Sequence, residues 1–407
     1  MSTSTDPQHF FQTSTSLAEN DRKRRKAANT HGQPAKSRSK LLAISVDTFL
    51  DPSGNSALIA EADGNVSIFN LSINEFVRIG QNAPAPITCI QSYAGRTSID
   101  NDSVSSFIFA GGWNKHITSF DITGLDFINP TSPPQSTFKA HDDFLKCLLV
   151  AQAPDKKMVL LSGGADGVLN IWTFTGQRLA SLKPQCRGIE DIALDPLSTH
   201  DAPRIFFSTS QREIFHFTLP ASLQMAQTQL SQPIVQHETS VYKLEFDNDG
   251  DLWTASADKT AKRLNRENGF IADTTLVHPD FVRDIVVYDS SSLVITACRD
   301  EDIRVWNTGS GQLLHVFTGH FEEVTGLAIA NHTLLSVSID ATIRRWSLAP
   351  QDLRKAVEEA KNPHLLAEEP EPKNDFSGLT EEEEAELRAM MEDEEADSLE
   401  KMAMNEQ

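Results

Sequence analysis

The chain has 407 residues and a formal net charge of −21, and this charge is distributed very unevenly. Residues 1–40 contain eight Lys and Arg against three Asp and Glu, whereas residues 351–407 contain six against nineteen. This distribution predicts one folded unit between a basic arm and an acidic tail. No run approaches the roughly 18 apolar residues that span a bilayer, and the polar start of the chain does not resemble a secretory signal. Membrane and secreted classes are therefore excluded, and we expect an intracellular protein, cytoplasmic and/or nuclear.

The first segment, residues 1–39, is predicted to be a disordered basic arm. It contains five consecutive basic residues from Arg22 to Lys26. Such a cluster is typical of a nuclear import signal or a phosphate-binding patch, and it is equally typical of a solvated arm. Aromatic residues are absent between Phe11 and Phe49, so no base-stacking platform accompanies the cluster.

Residues 40–350 repeat one pattern seven times: a short apolar strand, a polar turn, and a second strand that ends in a large apolar residue. The turn positions are Asp63, Asn114, Asp166, Gln211, Asp258, Asp300 and Asp340. Six residues after each lies a large apolar residue, namely Phe69, Phe120, Trp172, Phe217, Leu264, Trp306 and Trp346. Successive turn positions are 40 to 52 residues apart. This spacing suits four strands per unit and predicts an all-β fold, a seven-bladed propeller.

Four of the units also open with a histidine, 20 to 25 residues before the turn position. These histidines are His141, His237, His278 and His320, and Gly319 precedes the last one. In these residues the chain resembles the WD-repeat family, over roughly residues 40–350. It departs from the family pattern because no Trp-Asp dipeptide is intact, and because the second and fourth units lack the histidine.

The resemblance implies a buried hydrogen-bonded chain in each unit, formed by the histidine, the turn aspartate, a Ser or Thr and the tryptophan. The residues that would carry it are His141, Asp166, Trp172, His237, Asp258, His278, Asp300, Trp306, His320, Asp340 and Trp346, with Ser336 or Ser338 in the last unit. A His and an Asp near a Ser could also indicate a hydrolase triad. An enzyme needs one such site rather than several copies, so the structural interpretation is favoured.

Motifs for catalysis and for cofactors are missing from the sequence. No phosphate-binding loop, dinucleotide fingerprint or Cys/His metal spacing occurs. The four cysteines are far apart and form no C-x-x-C pair. We therefore expect no catalytic, metal-binding or cofactor-binding residues, and no enzyme.

The resemblance also implies that partners bind at the end of the propeller that carries the turn aspartates. Side chains just before the turn position, and three and five residues after the histidine, project there in the family. They are Trp113, Phe144, Lys146, Tyr242, Phe281, Arg283 and Arg299. Aromatic and arginine side chains dominate interface energetics. Phe144 and Phe281 could instead pack beneath the strands, and this alternative stays open.

The last segments differ from the repeats in composition. Residues 351–379 predict a short helix and a linker, and residues 380–407 predict an acidic amphipathic helical tail. Thr380 and Glu383 fit a capping box, and an apolar stripe is formed by Leu387, Met390, Met391, Leu399 and Met402. Neighbouring glutamates repel in an isolated helix. We therefore expect the tail to become helical only when docked on a partner or on the propeller.

Together these features predict a non-catalytic protein-interaction scaffold or adaptor, a monomeric propeller that helps to assemble a multiprotein complex. The alternative is a non-catalytic subunit of an RNA-modifying or ribonucleoprotein complex that uses the basic arm. An enzyme with a loop-built site comes third. The acidic body disfavours extensive nucleic-acid contact, which depends on neutralising phosphates. The outer strand of the seventh blade is expected from the N-terminal segment, although no residues in 20–40 identify it.

Overall fold

The computed structural model describes residues 14–46, 51, 53–81, 85–96, 104–123, 133–220 and 229–361. Within this part of the chain, the strands form seven antiparallel sheets of four strands each. The inner strand of each sheet contacts the inner strands of the two neighbouring sheets, and the first sheet contacts the seventh. The sheets therefore form a closed ring, which confirms the predicted seven-bladed propeller.

The inner strands surround a central channel. They are β2 (Leu41–Ser45), β6 (Ile87–Gly95), β10 (Leu145–Gln152), β14 (Ile189–Leu194), β18 (Val241–Phe246), β22 (Val282–Tyr288) and β26 (Val324–Ala330). The second strands are β3 (Ser56–Glu61), β7 (Ser105–Gly112), β11 (Met158–Gly164), β15 (Arg204–Thr209), β19 (Leu252–Ser256), β23 (Leu293–Cys298) and β27 (Thr333–Ser338).

The third strands end in the large apolar residues of the repeat. They are β4 (Asn65–Asn70), β8 (His116–Asp121), β12 (Leu169–Trp172), β16 (Glu213–Thr218), β20 (Thr260–Asn265), β24 (Ile303–Asn307) and β28 (Thr342–Ser347). The outer strands are β5 (Glu75–Gln81), β9 (Pro134–Lys139), β13 (Arg178–Leu182), β17 (Ile234–Val235), β21 (Ile271–Val277), β25 (Leu313–Phe317) and β1 (Ala35–Lys36). The helices are α1 (Ser14–Ala27) and α2 (Pro350–Lys361), and a 3-10 turn covers Asp289–Ser291.

The apolar core is divided among the blades. Seven clusters of buried side chains are present in the described residues, and each joins two neighbouring blades. One of them contains Leu41 of blade 1 together with Leu335 and Ile343 of blade 7. Because each blade buries its faces only against its neighbours, the first and last blades must also meet.

Strand β1 completes blade 7 and closes the ring. It is only two residues long, and Ala35 pairs with Ile343 and Lys36 with Thr342. Ala35 is buried in the cluster between blades 7 and 1. Closure of this kind removes an exposed strand edge, which would otherwise be free to pair with another chain.

The N-terminal segment differs from the disordered arm that its composition predicts. The structure contains α1 and β1 there, joined by residues that contact blade 7. Asn29 Oδ1 accepts a hydrogen bond from Arg344 Nη1 (2.8 Å), and Asn29 Nδ2 donates to the Gly319 carbonyl (2.8 Å). The backbone N–H of Arg345 donates to the carbonyl of Gly32 (2.7 Å). These contacts come from residues 290 to 315 positions further along the chain, so no local pattern indicates them.

The hydrogen-bonded chain implied by the family is complete in blade 7. His320 Nδ1 lies 2.8 Å from Asp340 Oδ2, and His320 Nε2 lies 2.9 Å from Ser336 Oγ. Trp346 Nε1 donates to the same Ser336 hydroxyl (2.9 Å). These partners assign a neutral histidine that donates from Nδ1 and accepts at Nε2. Burial lowers the pKa of His320, which agrees with this assignment.

Blade 3 repeats this arrangement. His141 lies 3.0 Å from Asp166 and 2.8 Å from Ser162, which also accepts from Trp172 Nε1 (2.9 Å). Every member of the chain thus has a partner, as buried polar groups require.

Blade 5 keeps only part of the chain. His237 lies 2.8 Å from Asp258 and 2.7 Å from Thr254. Leu264 stands where blades 3, 6 and 7 have tryptophan, so the indole donor is replaced by a purely apolar side chain.

In blade 6 the implied contact between His278 and Asp300 is wrong. His278 Nδ1 donates to the carbonyl of Leu276 (3.1 Å), while its Nε2 lies 2.8 Å from Thr296, which also accepts from Trp306 (2.9 Å). Asp300 instead accepts two hydrogen bonds from Arg304, at 2.6 and 3.1 Å. A guanidinium pairs with both carboxylate oxygens and so displaces the neutral imidazole.

The molecule divides into two units, residues 1–354 and 355–407. In the second unit the structure describes only residues 355–361, which complete α2. The predicted tail stripe of Leu387, Met390, Met391, Leu399 and Met402 lies outside the described residues. Neither helix in the described part of the chain is long and apolar enough to cross a bilayer.

Candidate partner-binding face

The seven residues predicted to face partners all occur where the chain approaches one end of the ring. Trp113 and Arg299 lie in turns between second and third strands, whereas Phe144 and Phe281 lie in connections between blades. Each of the remaining three residues is the second residue of its inner strand, namely Lys146, Tyr242 and Arg283. Because the strands are antiparallel, the turns and the connections between blades share one end, here called the turn end.

Trp113 and Phe144 form an exposed aromatic pair. Their rings stack with centroids 5.2 Å apart and an interplanar angle of 21°. Trp113 is 51% exposed and Phe144 is 40% exposed. Phe144 therefore does not pack beneath its strand, which was the open alternative for this residue.

A second group contains both arginines. Arg283 lies over the ring of Tyr242, 4.4 Å from its centroid, and Arg299 lies over the ring of Phe281 at 5.3 Å. Glu323 connects them, because its carboxylate is 2.6 Å from Arg283 Nε and 3.9 Å from Arg299 Nε. Cation–π contact and ion pairing fix these side chains in place. Phe281 is half-buried, so it is neither fully exposed at the partner face nor packed entirely beneath the strand.

The central channel opens between these groups and has a volume of about 520 Å³. Trp113, Lys146, Tyr242 and Arg283 are among the residues that line it. Lys146 Nζ lies 3.3 Å from Glu190 Oε2. The mouth of the channel therefore combines a stacked aromatic pair with cations that are each held by a carboxylate.

Further inside, the channel contains charges that sequence analysis did not single out. Lys243 lies 3.4 Å from Asp191, which raises the pKa of the lysine. Burial raises the pKa of Asp284 to about 6, and it raises the pKa of Glu245, which is on the same inner strand as Lys243, to about 7.

Two of these carboxylates tie neighbouring blades together. Asp191 accepts the N–H of Leu244 (2.9 Å), and Asp284 accepts the N–H of Leu327 (2.7 Å). Each bond joins one inner strand to the inner strand of the next blade, which is a structural role.

No group of His, Cys, Asp and Glu side chains that could hold a metal ion occurs among the described residues. All four cysteines are free thiols, and burial raises their pKa values. A thiol with a raised pKa is mostly protonated near neutral pH and is a poor nucleophile.

Comparison with known proteins places this geometry in a family. The profile described as "WD domain, G-beta repeat" matches residues 132–173, 273–307 and 311–347. An uncharacterised WD repeat-containing protein of Schizosaccharomyces pombe is 31% identical over 353 residues, which cover 84% of this chain and 89% of that protein. The chain belongs to the WD-repeat family. Its matched segments include blades 3, 6 and 7, the units in which the tryptophan is present.

Other relatives resemble only part of this WD-repeat protein. Human striatin is 23% identical over 236 residues, which cover 53% of this chain and 29% of striatin. Autophagy-related protein 16 of Arabidopsis thaliana is 26% identical over 116 residues, covering 28% of this chain and 23% of that protein. The likeness to these two proteins is therefore confined to less than a third of their length.

Two residues at the channel mouth were missed by sequence analysis although the repeat indicated them. Glu323 lies three residues after His320, the same offset as Phe144 and Phe281. Glu190 is the second residue of its inner strand, as Lys146 is. Blade 4 has no histidine from which the offset to Glu190 can be counted, and Glu323 is neither aromatic nor basic, the side-chain types expected at a partner interface.

Proposed function

We propose that this WD-repeat propeller is a non-catalytic scaffold or adaptor that binds a protein partner at its turn end. The observation that carries the proposal is the stacked pair of Trp113 and Phe144, which is exposed beside the channel mouth. Aromatic residues each offer 150–250 Å² of surface, roughly, and they dominate interface energetics when a partner covers them. An exposed aromatic pair of this kind suits an apolar anchor on the partner.

The hydrogen-bonded chains support a structural use of the histidines. His320 and Asp340 are buried and already have partners for their polar atoms, as do His141 and Asp166. A hydrolase would need a hydroxyl that reaches substrate. Ser336 instead sits beneath this network and accepts from an indole.

The RNA-related alternative has less support. Among the five residues of the basic cluster, Arg22, Lys23 and Lys26 pair with carboxylates of the propeller. Cations that are paired in this way contribute less to phosphate neutralisation, on which nucleic-acid affinity depends.

The proposal is tested with the double variant Trp113→Ala, Arg299→Ala. We expect it to fold normally and to lose at least one partner when the protein is purified from its native source after nuclease treatment. The matched control is Leu197→Ala, Lys157→Ala, which also removes one exposed apolar and one exposed basic side chain, but at the other end of the ring. A folded Trp113/Arg299 variant that retains every native partner would refute the assignment of this face.

A further inference from the structure

Helix α1 lies against the turn end of blades 6 and 7 and is held there by ion pairs. Arg22 donates from Nη1 and Nη2 to the two carboxylate oxygens of Glu301, at 2.6 and 2.7 Å. Lys26 Nζ reaches the same carboxylate at 2.7 Å, and Lys23 Nζ lies 2.7 Å from Glu322. Because Arg22 and Lys26 are four residues apart, they lie on one side of the helix. Two cations one turn apart therefore converge on one carboxylate.

Glu301 is placed for this contact by the turn that carries it. It follows the turn aspartate of blade 6 and has a positive φ of 79°, as Lys115 (66°) and Lys259 (68°) have at the same position of blades 2 and 5. Those lysines donate to carbonyl groups of the next connection between blades. Glu301 is acidic instead, only 9% of its side chain is exposed, and it stands between Asp300 and Asp302.

The environment of Glu301 requires a cation. Burial opposes ionisation of this carboxyl, but the hydrogen bonds from Arg22 and Lys26 outweigh it and lower the pKa of Glu301. If α1 leaves, the consecutive carboxylates of Asp300, Glu301 and Asp302 remain at this turn, and their negative charge favours a second basic group.

In residues 19–27, the part of α1 whose side chains are described, the contacts with the propeller are ion pairs. Among the side chains described for α1, residues 19–27, none is apolar except that of Ala27. A 14-residue helix of this composition is marginal in isolation, because helix nucleation is unfavourable. Ion pairs near a surface are also weakened by salt. We therefore expect salt to weaken the docking of α1.

Undocking of α1 does not require the ring to open. The next residues have their own attachments, since Asn29 bonds Arg344 and Gly319, and the Gly32 carbonyl accepts from the Arg345 backbone. Strand β1 follows and completes blade 7. The anchoring of β1 is therefore separate from the ion pairs of α1.

We propose that Glu301 and Glu322 form a docking site for a basic helix, which α1 occupies in cis and which a partner helix can occupy in trans. The partner helix would carry an Arg, a Lys at the next position, and a second Lys four positions after the Arg, as Arg22, Lys23 and Lys26 do. This site uses none of the residues of the proposed face around Trp113, so it goes beyond that function and can fail separately.

The first experiment measures binding in trans to the full-length chain. Its own helix is displaced by the variant Arg22→Glu, Lys26→Glu, in which like charges face Glu301. A fluorescent peptide of residues 14–31 is added at about 50 mM salt, where screening is weak, and anisotropy is recorded. We expect the peptide to bind this double variant. When Glu301→Gln is introduced into the same chain, the affinity should fall by at least about tenfold. The control Glu267→Gln, an exposed glutamate at the other end of blade 5, should change nothing.

A scrambled peptide of the same composition is the second control. It should bind at least about tenfold more weakly, because its basic residues no longer lie on one side of a helix. Equal binding of the two peptides, no binding at low salt, or binding that ignores Glu301→Gln would each overturn the proposal.

The second experiment needs no added peptide and keeps the native N-terminus. Amide hydrogen exchange of residues 20–27 is compared in the natural chain, in Glu301→Gln and in Glu267→Gln. We expect Glu301→Gln alone to accelerate exchange about tenfold, with an unchanged melting midpoint of the propeller. Unchanged exchange in Glu301→Gln would show that this carboxylate does not hold α1 and would overturn the proposal.

Discussion

Replacing Asp340 with alanine removes the acceptor at the centre of the blade 7 network. Asp340 accepts from His320 Nδ1 (2.8 Å) and from both the N–H (2.8 Å) and the hydroxyl (2.6 Å) of Thr342. Its side chain is fully buried, and although burial opposes ionisation, these hydrogen bonds lower its pKa. The variant leaves two buried N–H donors without an acceptor. At about 1–3 kcal/mol for each orphaned group, we expect a loss of about 2–6 kcal/mol in the free energy of unfolding.

The assay is urea denaturation followed by circular dichroism and by tryptophan fluorescence. The two transitions must coincide before a free energy is extracted, because a ring of seven blades can unfold in parts. The matched control is Asp63→Ala, at the same turn position of blade 1. Asp63 is exposed and, among the described residues, accepts from Asn65 alone, so its loss should cost about 0.5 kcal/mol or less.

The reasoning is refuted if Asp340→Ala loses no more stability than Asp63→Ala. Lost partner binding with an unchanged unfolding transition would make Asp340 a functional residue rather than a structural one.

Two further predictions concern the pH dependence of stability and the closure of the ring. Burial lowers the pKa of His278 to about 4, so this residue contributes stability that is present above its unfolded pKa near 6.5 and is lost as the pH falls toward 4. Urea midpoints of the natural chain and of His278→Gln should therefore converge over this range, and a constant difference would contradict the assignment. Gly32 has φ +67° and a Cβ there would lie 2.8 Å from Trp346, whereas Gly269 has φ +72° and nothing within 4 Å. By the same assay Gly32→Ala should cost at least about 1 kcal/mol more than Gly269→Ala, and equal costs would refute the close packing.

The fold was predictable because each hairpin is specified by nearby residues. The turn position Asp340 and the large apolar Trp346 are six residues apart, and the same spacing recurs in every blade. Strand β1 was not predictable in this way. It has two residues within a polar segment, and its register depends on Ile343 and on the fit of Gly32 against Trp346, which are more than 300 residues away.

The sequence predicted where the residues of the candidate site lie, but it did not predict which side chains pair with one another. A repeated offset places Trp113, Lys146 and Arg283 at one end of the ring because every blade has the same strand order. Which carboxylate each cation meets depends on contacts between blades. The pair formed by Lys146 and Glu190 therefore needed the structure.

Blade 6 shows how one departure from the repeat leads to another. In blades 3 and 7 the turn aspartate is hydrogen-bonded to the histidine. The residue four positions after that aspartate is Asn170 in blade 3 and Arg344 in blade 7, and both side chains bond to other groups. In blade 6 Arg304 takes Asp300 instead, so His278 turns to a backbone carbonyl.

The turn that contains Asp300 is strongly acidic. Asp300, Glu301 and Asp302 are consecutive carboxylates, and Arg304 lies within 4 Å of only the first and third. Glu301 is left without a cation from its own blade, and Arg22 and Lys26 of α1 supply it. In this one turn, Arg304 therefore takes Asp300 from the histidine, while the neighbouring Glu301 docks the basic helix.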